Sequence, residues 1–302
     1  MKAMTYIGLP LGVLALSTSA IFVRLADAPP SIAALYRLLF AALVLAPVVL
    51  LSKNRRRELV EMPRKQVVLS ILSGALLAVH YILWFESLAL TSVASSTVIV
   101  TLQPIFSMLL GYFFLRERQT KTALLGCAVA LGGSFVIGYG DFQGGGQALL
   151  GDVLALVAAA VISGYFFVGQ HIRKSTSAEV YSLLGYSGSV LFLAAYALVK
   201  GDAFFPYSAF TWQCFLGLAL VSTIMGQFVF NVLLKRLSAT TISVGILGEP
   251  VGTCILAYFI LGEGIGYQQG IGIAVILGGL ALYFLSVARV ERRATTSEGV
   301  RP

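Results

Sequence analysis

Apolar residues run along this chain in blocks long enough to cross a bilayer, parted by short polar segments. The blocks fall near residues 4–23, 31–52, 66–88, 92–115, 121–140, 150–170, 179–199, 212–234, 239–262 and 266–288. A hydrocarbon core of roughly 30 Å takes about 20 residues as helix, and unpaired backbone groups are too costly in lipid for looser structure. The pattern predicts an all-α integral membrane protein of ten transmembrane helices. The opening MKAMTYIGLPLGVLALSTSA has the lysine, apolar stretch and small residues of a signal peptide, but nine further spans follow it. It reads as an uncleaved first helix.

Composition agrees. The 302 residues are 58% hydrophobic and 11% charged, with mean hydropathy +0.90, where soluble domains carry about 25% charged residues. The net charge of +8 raises the question of a nucleic-acid partner. Placement answers it: with the amino terminus inside, 18 of the 21 Lys and Arg fall in alternate connections and the tail, among them Lys53, Arg55, Arg56, Arg57, Arg64 and Lys65. Arg24 and Lys200 fall outside and Arg37 within a span, so the bias puts both termini in the cytoplasm and no nucleic acid is expected. A polybasic lipid site at 53–65 is the other reading of that segment. Cys127, Cys214 and Cys254 all lie in apolar runs, so neither a disulfide framework nor a metal site is expected.

Sliding the chain on itself by 146 residues sets TLQPIFSMLLGYFFLRE (101–117) over LGEPVGTCILAYFILGE (247–263). Between 92 and 133 there are 13 identities in 42 positions, from Ser92/Ser238 through Pro104/Pro250 and Glu117/Glu263 to Gly133/Gly279. That is well above the roughly one in ten such a biased composition would give. The chain is a duplicated five-helix unit, expected at 1–140 and 141–288 with a cytoplasmic tail at 289–302. Five is odd, so the second copy crosses in the opposite sense. Accordingly RERQTK after the fourth span becomes GEGIGY after the ninth, stripped of basic residues.

The stretches FVRLADAPPSIAALYRLLFAA (22–42), HYILWFESLALTSVASSTVIVTLQPIFSMLLGYFFLRE (80–117) and GEPVGTCILAYFILGE (248–263) resemble EamA-type members of the drug/metabolite transporter superfamily. The resemblance implies a carrier in which helices 1–4 and 6–9 surround a central cavity and helices 5 and 10 pack to one side. It also implies outward movement of metabolites, often amino acids, across the bacterial inner membrane. The Gly266, Gly270, Gly278 spacing suits packing within a monomer or a homodimer face.

Polar groups at membrane depth are the candidates for contact with a solute. His80, Tyr81 and Trp84 share one region of the third span, where rings offer stacking or cation–π contact; for Trp84 the alternative is an interfacial belt. Tyr36 and Arg37 lie in the second span, where the guanidinium could meet a substrate carboxylate, pair with Glu86 or snorkel outward. Thr97, Thr101 and Gln103 lie in the fourth span, Gln227 in the eighth and Glu249 in the ninth. Tyr165 in the sixth could line the cavity or, with Phe166, face lipid. Pro104 and Pro250 remove a helical donor each and predict kinks facing protein or a watered cavity. Glu249 has Gln103 as its counterpart, so what recurs is a polar side chain beside a kink.

These features point to a secondary carrier of small metabolites, amino acids foremost, working by alternating access without a cofactor. Other small organic solutes, a channel and a structural subunit are the alternatives. No GxxxxGK[ST] loop supports an ATP-driven pump. His80 and His171 stand apart from any carboxylate cluster, which disfavours an enzyme.

Overall fold

A computed structural model of the chain describes residues 2–91, 93–138, 146–262 and 264–298. Met1, Ser92, Glu263, the repeat junction at 139–145 and the tail residues 299–302 lie outside the described residues. The helices are α1 (Lys2–Leu25), α2 (Pro30–Leu51), α3 (Lys53–Glu61), α4 (Arg64–Leu90), α5 (Val93–Val100), α6 (Gln103–Leu115) and α7 (Lys121–Gly138). There follow α8 (Gly146–Ile172), α9 (Ala178–Lys200), α10 (Ala209–Gly217), a π-helical stretch (Leu218–Gln227), α11 (Phe228–Leu233), α12 (Ala239–Ile246), α13 (Glu249–Leu261) and α14 (Tyr267–Glu298).

Among the described residues nine segments are long and apolar enough to cross a membrane: Ile7–Leu25, Pro30–Leu51, Arg64–Leu90, Ser95–Leu115, Gly146–Ile172, Ala178–Lys200, Ala209–Leu233, Ala239–Ile260 and Tyr267–Val290. The remaining expected span, Lys121–Ile137, is a shorter apolar helix. Local chemistry sets several boundaries. Pro30 opens α2, where a missing N–H costs nothing. Ser177, Ser208 and Ser238 cap α9, α10 and α12 by accepting from Val180 N, Thr211 N and Thr241 N. Gly201, with φ of 78°, closes α9 in the left-handed conformation.

The two proline sites do more than kink their spans. The fourth span is divided at Thr101–Leu102 into α5 and α6, and the ninth at Leu247–Gly248 into α12 and α13. Around these broken helices stand α1, α2, α4, α8, α9 and the α10–π–α11 span, sharing one large apolar core. As expected, α7 and α14 stand to one side, packed mainly on each other.

That pair displays the repeat as geometry. A Cβ on Gly126 would lie 2.8 Å from Gly279 O and one on Gly133 2.8 Å from Gly272 O; the reciprocal distances are 2.7 Å and 2.8 Å. Since 126/272 and 133/279 are positions related by the 146-residue shift, the contact is self-reciprocal and antiparallel, as a two-fold relation between inverted repeats demands. The packing glycines are therefore not those expected. Gly266, Gly270 and Gly278 have nothing within 4 Å of a built Cβ and take no part in packing within the monomer.

Candidate functional site

The broken helices meet in a central cavity. Its walls are Leu16 of α1, His80, Tyr81 and Trp84 of α4, Val100, Thr101 and Gln103 at the first break, and Ile162 and Phe166 of α8. Gln227 and, at the second break, Ile246 and Glu249 complete it. Four pairs among these twelve are 146 residues apart: Leu16/Ile162, Tyr81/Gln227, Val100/Ile246 and Gln103/Glu249. The cavity thus lies on the axis relating the repeats. It offers about 30 Å³ of water-sized space, room for about two waters. An organic solute enters only if helices part.

Two serines tie the breaks to the surrounding bundle, and they too are mates. Ser163 of α8 donates to Gln103 O at 2.8 Å, and Ser17 of α1 donates to Glu249 O at 3.1 Å. Each hydroxyl is shared with the carbonyl one turn back, Ala159 O and Val13 O, at 2.8 Å. In both bonds one repeat holds the broken helix of the other. Gly252 makes room for the second, since a Cβ there would stand 2.3 Å from Ser17 Oγ. The small-residue face beside Glu249 is filled by α1, as Leu9 lies 2.9 Å from a Cβ built on Gly245. Sequence reasoning passed over both serines, although the same shift that pairs Gln103 with Glu249 pairs Ser17 with Ser163.

Polar networks bridge the helices toward each end of the cavity. Toward the α1–α2 connection, Arg37 Nε donates to Thr223 Oγ1 at 2.7 Å and Nη1 to Ser19 Oγ at 2.5 Å. Its guanidinium carbon stands 4.5 Å from the centre of the Tyr81 ring. Toward the α8–α9 connection, Asn231 Nδ2 donates to the Tyr165 hydroxyl at 2.7 Å and to Ser182 Oγ at 2.9 Å, and Ser73 bonds Tyr181 at 2.6 Å. Ser19 and Tyr165 are again 146 apart, so one mated pair is divided between the two networks.

The sequence pattern of the EamA-like transporter family matches residues 3–139 and again 149–285. The chain belongs to that family. The two matches are themselves offset by 146 residues, the shift of the internal repeat. A "Probable terminal-alkyne amino-acid exporter" of Streptantibioticus cattleyicolor is 28% identical over 172 residues, covering 56% of each chain. The present chain thus spans a little over half of that relative. A "Probable amino-acid metabolite efflux pump" of Salmonella typhimurium is 29% identical over 211 residues, covering 67% of this chain and 70% of the other. A solved crystal structure shares the fold with TM-score 0.79 at 17% identity, over 94% of this chain and 98% of that one. By family and by its apolar spans, the protein is a multi-pass membrane protein.

Within this family fold, seven of the residues singled out from sequence come together as the lining of this cavity: His80, Tyr81, Trp84, Thr101, Gln103, Gln227 and Glu249. The other four lie off it. Arg37 is wholly buried in the network above, and it does not pair with Glu86. Glu86 instead bonds Lys200 and Tyr196, joining α4 to α9. Tyr36 belongs to an aromatic cluster with Phe40, Trp212 and Phe215, its hydroxyl on Phe204 O at 3.1 Å. Tyr165 stands behind Gln227 on Asn231, and Thr97 is buried off the cavity.

Burial decides two alternatives. Trp84 and Phe85 do not form an interfacial belt; they are 3% and 1% exposed. Tyr165 and Phe166 do not face lipid, at 1% and 0%, and Phe166 lines the cavity. Helical periodicity places a ring on a face but not that face against lipid or neighbour, which is why the sequence left these open. The π-helical stretch was not foreseen either. Thr223 Oγ1 donates to Leu218 O at 2.9 Å, five residues back, within the widened turns that end at Gln227.

Proposed function

We propose that this chain is a secondary carrier that exports small metabolites, amino acids foremost, across the bacterial inner membrane by alternating access, with both termini in the cytoplasm. The observation that carries this reading is the narrow cavity on the repeat axis, with a separate polar network toward each end and one mated pair, Ser19 and Tyr165, divided between the two networks. A continuous pore needs no such pair of networks, whereas a carrier opens one while the other holds. The space fits about two waters, so a solute moves only with a conformational change. The names of the exporter and efflux-pump relatives favour amino acids, and the Lys and Arg bias favours cytoplasmic termini.

Purified protein in liposomes loaded with mixed amino acids tests the proposal. The expected result is saturable, protein-dependent efflux, accelerated by unlabelled amino acid on the far side. Flux without saturation or exchange would indicate a channel, and no movement of any amino acid would overturn the assignment.

A further inference from the structure

The repeat axis makes the cavity symmetric in shape, but its chemistry is not symmetric. At the mated positions beside the breaks, one repeat supplies the amide of Gln103 and the other the acid of Glu249. Near-isosteric side chains thus present a donor from one repeat and an acceptor from the other. Buried Trp84 Nε1, Gln103 Nε2 and Gln227 Nε2 have no hydrogen-bond partner, and all three residues line the cavity. Gln227 also interacts weakly with the Tyr165 hydroxyl behind it, outside hydrogen-bonding geometry. Buried N–H groups left unpaired are costly, so these donors require water or solute oxygen.

Acceptors complete the set. His80 Nδ1 is 3.0 Å from Ala158 O, a carbonyl that can only accept, so the neutral ring carries its proton on Nδ1 and keeps Nε2 as an acceptor. His80 lies parallel to Trp84, with ring centres 5.8 Å apart and planes 22° from each other. Arg37, the cation expected to meet a carboxylate, bonds Thr223 and Ser19 through Nε and Nη1 and stands over the Tyr81 ring; its Nη2 is buried without a hydrogen-bond partner, but the residue is absent from the cavity lining.

We propose that the cavity recognises a zwitterion by its two ends: a carboxylate held on the neutral N–H donors of Trp84, Gln103 and Gln227, and a protonated amine facing Glu249 and His80. Arg37 positions the surrounding helices and does not contact the solute. This rests on the carrier reading above.

The test uses full-length protein in liposomes, with efflux of labelled phenylalanine competed by unlabelled phenylalanine, phenylalaninamide and 3-phenylpropanoate. Wild type is expected to bind the amide and the des-amino acid each about tenfold more weakly than phenylalanine. Gln103→Leu and Trp84→Phe are expected to shrink the acid-to-amide preference to within about threefold while leaving the preference for an amine. Equal competition by acid and amide in wild type overturns the proposal without any variant. So does an Arg37→Met variant, still monodisperse, that loses the acid-to-amide preference. If no amino acid is transported at all, the carrier reading itself has failed, which is a separate outcome.

Discussion

Removing the Ser163 and Ser17 hydroxyls should tilt the protein in opposite directions. Ser163→Ala deletes the 2.8 Å bond from α8 to Gln103 O, and Ser17→Ala deletes the 3.1 Å bond from α1 to Glu249 O. Inverted repeats exchange the two faces of the membrane and exchange these two bonds with them. A bond kept in one open state and broken in the other therefore has a mate that behaves in reverse. Hydrogen bonds between membrane helices are worth about 0.6 kcal/mol on average and up to about 1.7. Losing one shifts the inward-to-outward ratio by about threefold to about eighteenfold. Each hydroxyl keeps a second acceptor in its own helix, so the lower half of that range is expected. The ratio is read by labelling Ile246→Cys, with Cys127, Cys214 and Cys254 replaced by Ala, using an impermeant thiol reagent on right-side-out and inverted vesicles. Ser163→Ala and Ser17→Ala should change the two labelling rates in opposite senses, and the double variant should restore the balance. A shift of both in one sense, or of neither beyond about twofold with thermal stability intact, would refute the reasoning.

Other substitutions separate packing from transport. Gly133→Leu should destabilise the protein by at least about 1–3 kcal/mol, because its Cβ would press on backbone 2.7 Å away. Gly132→Leu, with nothing within 4 Å, should leave thermal unfolding nearly unchanged. Arg37→Gln should slow maximal transport about tenfold or more by breaking the Ser19 and Thr223 bonds, while half-saturating solute changes by less than about threefold; kinetics in liposomes decide. Glu86→Gln should cost less than about 1 kcal/mol of stability and leave solute preference unaltered, since its Lys200 partner is 37% exposed at the side chain.

Apolar blocks of bilayer length, and identities at a shift of 146, settle the class, the duplication and the inversion by counting alone. The class follows from backbone satisfaction in lipid and the inversion from five being odd, neither of which needs coordinates. The prolines likewise announce the breaks, because a missing N–H acts within its own turn. Which face of each span looks inward is another matter. The spans are apolar all round, so periodicity carries little direction, and only the packing of α4 and α8 turned Trp84 and Phe166 toward the cavity. Arg37 found hydroxyls and a ring instead of Glu86 because α2 packs on the π-helical stretch, which in turn packs on α1. The crossed bonds of Ser17 and Ser163 join segments 232 and 60 residues apart in the chain. Local sequence determines what each span can offer; the association of the two repeats decides which offers meet.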